Sequence, residues 1–77
     1  MNSRLLRARM IMEDVGIGQF AKAIGKAHQT ASLKISGRVA FTFPEMMTLA
    51  KLLNLSLEDV NNIFFDGNLP KRNQKEA

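Results

Sequence analysis

Between Lys26 and Arg38 the chain reads KAHQTASLKISGR, a stretch dense in hydrogen-bonding side chains and cations. The amide of Gln29, the imidazole of His28 and the hydroxyls of Thr30 and Ser32 each combine donor and acceptor capacity, while Lys26, Lys34 and Arg38 bring positive charge. That is the chemistry of recognition rather than of bond breaking. With no Cys and a single His, the sequence excludes a thiolate nucleophile, a Cys-based zinc or redox centre and a His cluster. It has no Gly-rich phosphate loop. Its neighbouring carboxylates, Glu13-Asp14 and Glu58-Asp59, leave a helix in different directions instead of converging on one reacting atom. The sequence therefore predicts no enzyme, no cofactor and no metal.

The elements that must position this stretch are two short helices. Ile17, Phe20, Ala21 and Ile24 fall at i, i+3, i+4 and i+7, the apolar face of one helix. Gly25 breaks it, because a residue without Cβ enters the left-handed region that turns the chain at a helix end. Lys26 and Ala27 complete the turn. From His28 to Ser36 only Ala31 and Ile35 form an apolar pair at helical spacing, which predicts a second helix with a polar outer face. Leu33 falls on that outer side. A small residue at Ala21 and a glycine at Gly25 let the two helices cross closely and steeply, the geometry of a helix-turn-helix.

The remaining segments read as supports. Leu5, Ala8, Met12 and Val15, widened by Leu6 and Ile11, predict the inner stripe of a first helix capped by Asn2 or Ser3, with Arg9 placed to pair with Glu13. Arg38 to Phe43 is a loop whose Val39, Phe41 and Phe43 predict that it packs down. Thr42-Phe43-Pro44-Glu45 combines a cap, a first-turn Pro and a capping-box Glu. Met46, Leu49, Ala50 and Leu53 then line a fourth helix. Ser56 and Asp59 cap a fifth, with Leu57, Val60, Ile63 and Phe64 predicted inside. Met47, Leu52 and Phe65 lie off the main stripes and predict an exposed apolar patch for a partner or a dimer. The domain is expected to span 1–66, and 67–77, with Lys71 and Arg72 but no apolar periodicity, to form a flexible basic tail. The expected fold class is all-α, a compact bundle of five short helices.

FAKAIG followed by SLKISGRVAFT resembles the helix-turn-helix of small phage repressors of the Cro/C1 type, the XRE family, and in particular short repressor-like proteins from phages and prophages of Gram-positive bacteria. The resemblance covers about Arg4 to Phe65. It implies a lambda-repressor-like DNA-binding domain whose second motif helix, 28–36, lies in the major groove of operator DNA. By position, His28, Gln29, Thr30, Ser32 and Leu33 would meet base edges, and Lys26, Lys34 and Arg38 would hold phosphates. Gln29 can bond adenine N7 and N6 together, and Leu33 can touch a thymine methyl. Many relatives open the first motif helix with a Thr or Ser cap and a phosphate-holding Gln; this chain has Gly16 and Ile17. Where the second motif helix often carries a Ser cap, it has Ala27.

Composition bounds these expectations. The chain has 77 residues, 45% of them hydrophobic, and a net charge of +4. A domain of this length buries only about 60% of its unfolded surface, so it is modestly stable or helped by dimerisation. A pI near 10.0 suits a polyanionic partner. No apolar run reaches the length of a membrane span, and Arg4, Arg7 and Arg9 interrupt any signal-like core, which predicts a cytoplasmic protein. Two functions follow. The first is a sequence-specific transcriptional repressor of phage or prophage type that binds operator DNA as a dimer and excludes polymerase. The alternative is an antirepressor or modulator that captures a partner repressor through the same helix-turn-helix surface. Ile17, Ala27 and Leu33 lean towards the second, and the basic charge and Gln29 towards the first.

Overall fold

The computed structural model describes residues 1–67, which fold as α1 (Ser3–Met12), α2 (Ile17–Ile24), α3 (His28–Ile35), α4 (Phe43–Leu52) and α5 (Leu57–Phe64). The described residues contain no strand, and the protein is a compact all-α bundle. The segment read as a tail lies outside the described residues from position 68 onwards.

Local chemistry starts and stops these helices. The Asn2 side chain accepts from the Leu5 amide at 3.0 Å. Thr42 Oγ1 accepts from the Glu45 amide at 3.3 Å while Glu45 Oε1 accepts from the Thr42 amide at 2.9 Å, a reciprocal capping box. Ser56 and Asp59 repeat it at 3.0 and 3.1 Å. Each such cap stabilises its helix by about 1 kcal/mol. In contrast α2 and α3 begin at Gly16 and Ala27 with no side-chain cap. Four helices end on one device, a left-handed residue whose amide and the next amide bond back three and five residues. Gly25 (φ +69°) does this for α2 and Gly37 (φ +87°) for α3. Asp14 (φ +58°) and Asn54 (φ +56°) do it for α1 and α4, being the residue types that tolerate this region best after glycine.

The core is built from Leu6, Phe20, Ala31, Ile35, Leu49, Leu53 and Ile63, all essentially inaccessible. Phe41 reaches in from the loop between α3 and α4, its ring 5.6 Å from that of Phe20 and 5.1 Å, edge to face, from that of Phe64. Val39 and Phe43 stay exposed, so the loop is packed down by one aromatic rather than three apolar residues.

The first helix is rotated from the expected stripe. Leu6 and Met10 are buried with Val15, whereas Leu5, Ala8 and Met12 face outward, Met12 at 72% exposure and Ile11 at 80%. Apolar residues occupy so much of α1 that spacing selects no single face, and its packing on α3 and α5 decides. Arg9 accordingly pairs across to Asp59 at 3.0 Å instead of along its own helix to Glu13. Leu57, expected inside, is 75% exposed because it is the first residue of α5, ahead of the packed Val60, Ile63 and Phe64. The chain closes on itself at α1 and α5: the Asn2 amide donates to the Ile63 carbonyl at 2.7 Å, and the Met1 amine lies 3.3 Å from Asp66.

Candidate nucleic-acid interface

Because Ala31 and Ile35 turn inward onto the core with Phe20 and Ala21, the first turn of α3 is left facing out. His28 and Gln29 are exposed; Thr30, Ser32 and Leu33 are half-buried, and Leu33 packs outside the core cluster. The first turn of α3 lies over that of α2. A Cβ placed on Gly18 would come within 3.9 Å of the His28 ring, ordinary contact distance. Gly16 and Ala27, both short, lie at the uncapped starts of the two helices, so no side chain occupies the first-turn amides there.

Lys26 and Arg38 are exposed, one just before α3 and one just after it. Lys34 is different. It is buried, with its ammonium 2.9 Å from Glu45 Oε1 and donating to the Ala40 carbonyl at 3.0 Å, so it is not displayed to an external phosphate. Lys34 follows the buried Ala31 by three residues and so shares its inward face, and the carboxylate fixed by the α4 capping box receives the charge. The Thr42 amide holds the Glu45 carboxyl below the usual carboxylate range, and the Lys34 ammonium lowers it further against the opposing effect of burial. Between α1 and α5 the Ser56 amide and then the Arg9 guanidinium lower Asp59 in the same way.

Gln19 and Lys22 of α2 are exposed as well, and neither residue type nor motif marks them in the sequence. The signal for them is positional: they flank the buried Phe20-Ala21 pair, which leaves both outward. Met47, Leu52 and Phe65 do not make the expected exposed patch, since all three are half-buried and pack against the core. The large apolar side chains that are most exposed are instead Ile11, Met12, Phe43 and Leu57. Among the described residues no group of three His, Cys, Asp or Glu could hold a metal ion, and no helix is long and apolar enough to cross a membrane.

The start of α3 thus presents a polar, exposed helix turn, with exposed cations before and after the helix. The chain belongs to DUF739, a family described as a protein of unknown function, which it matches over residues 3–67. No curated protein and no solved structure matches it.

Proposed function

We propose that this protein is a sequence-specific DNA-binding regulator of phage or prophage type, a helix-turn-helix repressor rather than an enzyme, that places the start of α3 in the major groove of an operator. The observation that carries this reading is the outward first turn of α3, where His28 and Gln29 stand free of the core between the exposed cations Lys26 and Arg38. Lys22 on α2 is a further exposed cation of the same two-helix segment. Gln29 reads adenine through two hydrogen bonds, His28 reaches a guanine acceptor or a phosphate, and the cations fix register without reading sequence. The uncapped amides of the first turn of α3 suit a phosphate oxygen, since helix N-terminal N–H groups and the helix dipole both favour an anion.

A second reading has its own support. Leu33 is apolar, half-exposed and outside the core, Lys34 is withdrawn from the surface, and Glu13 and Asp14 are exposed just ahead of α2. Those features suit capture of a partner repressor protein better than a phosphate backbone.

Fluorescence anisotropy with duplex DNA from beside the protein's own gene, with and without a candidate partner repressor, separates the two. Saturable binding by the protein alone, competed poorly by random DNA, is the expected result. Gln29→Ala should then lose about 1–3 kcal/mol on the operator and almost nothing on random DNA. Equal losses on both DNAs would remove Gln29 from base reading, and a signal seen only with the repressor present would favour the second function.

A further inference from the structure

The buried Lys34 is a cation taken out of a surface where cations are useful, and its partners explain what it does there. Its ammonium bonds the Ala40 carbonyl at 3.0 Å and the Glu45 carboxylate at 2.9 Å, and Glu45 in turn accepts from the Thr42 amide at 2.9 Å. One side chain from the last turn of α3 thus grips both the end of the following loop and the start of α4. Between Lys34 and the Ala40 carbonyl it holds lies Arg38, exposed, on a loop whose own backbone returns to α3: the amides of Arg38 and Val39 both donate to the Leu33 carbonyl, at 2.9 and 3.2 Å.

We infer that Lys34 and Glu45 are positioning residues for DNA binding, an internal clamp that fixes Arg38 relative to the α3 face so that base-reading side chains and a phosphate cation form one rigid surface. This rests on the proposed DNA-binding function. An exposed cation at position 34 would add a loose phosphate contact; a buried one converts the flexible Arg38 loop into part of the recognition surface, with less ordering left to do on binding. The clamp acts through Arg38, so its effect on affinity must vanish when Arg38 is absent.

The test is a double-mutant cycle between Lys34→Met and Arg38→Ala, read by anisotropy on operator DNA at a temperature where both proteins remain folded. Each single variant should weaken binding by about three- to tenfold and make the salt dependence shallower by about one phosphate, and the double variant should bind no worse than either. Fully additive losses would overturn the inference, because a residue that merely stabilises the fold has no reason to depend on Arg38. Amide hydrogen exchange is the independent arm. In Lys34→Met the Arg38 and Val39 amides should exchange at least about tenfold faster while those of α2 keep their protection; unchanged loop protection would overturn the clamp whether or not DNA binds. If Lys34→Met does not fold, the double change Lys34→Met with Glu45→Gln, which removes both contacts of the ammonium without stranding a charge and keeps an acceptor for the Thr42 amide, replaces it in both arms. A wild-type protein that binds no DNA while its loop responds as described would instead refute the DNA-binding function and leave the clamp a purely structural contact.

Discussion

Replacing Glu45 with Gln changes one charge in a site where that charge has a buried partner. Lys34 is 6% exposed and Glu45 7% exposed, so the ammonium of the variant keeps the Ala40 carbonyl and a neutral amide oxygen but loses its counter-ion. Breaking a buried pair by removing one partner costs about 3–5 kcal/mol, and the retained neutral hydrogen bonds bring this case to that floor or below it, about 2–3 kcal/mol. Against a total stability of about 4–12 kcal/mol for a chain of this size, that is a large share. It corresponds to a fall in Tm of about 10–20 °C. Removing the ammonium as well, in Lys34→Met with Glu45→Gln, leaves no stranded charge and should recover most of the loss. The pH dependence has a fixed sign. The Glu45 carboxyl is lowered from its ordinary 4.5, so its contribution is complete above that value and disappears as pH falls through the lower folded value. Wild type and Glu45→Gln should therefore differ most near neutrality and converge in acid. Asp59 is lowered too but is present in both proteins, and its share cancels in the difference. Thermal and urea denaturation of the three proteins from pH 7 to pH 3 decide the matter. A Tm change under about 3 °C for the single variant, or a double variant less stable than the single, would refute the reasoning.

Met10→Ala should destabilise by about 2–4 kcal/mol and Met12→Ala by less than about 0.5, because one is 5% exposed and the other 72%; comparable urea midpoints for the two would restore the other face of α1 to the core. Leu33→Ala should leave Tm almost unchanged, since the side chain lies outside the core cluster, and should cost about 1 kcal/mol of operator specificity. A loss of about 2 kcal/mol or more in repressor capture by the same variant, with DNA binding intact, would point to a protein interface.

The five-helix bundle was legible wherever caps and apolar spacing agreed. Thr42 with Glu45, Ser56 with Asp59, and Gly25 as a left-handed stop each announce their role through side-chain chemistry that acts over three or four residues. The inward pair Ala31 and Ile35 was equally plain, because no other apolar residues of α3 fall at helical spacing. What failed depended on partners distant in sequence. The face of α1 could not be chosen between Leu5–Met12 and Leu6–Met10 until α3 and α5 were in place, and Arg9 found Asp59 across the bundle rather than Glu13 four residues on. Lys34 shows the same limit within the candidate interface. By type it is a surface cation, and only the arrival of α4 supplies the carboxylate that draws it inside. His28, Gln29, Lys26 and Arg38 need no distant partner to be exposed, and all four are exposed.

The closure between α1 and α5 changes how the described fold can come apart. Ends of a domain are commonly where fraying begins, each peeling at little cost and independently of the other. Here the Asn2 amide serves a carbonyl in the last turn of α5, Arg9 serves Asp59 in the first turn of α5, and Leu6 and Ile63 are both fully enclosed. Neither end can lift without orphaning polar groups and baring apolar surface on the other. Two cheap, separate openings thereby become a single expensive one.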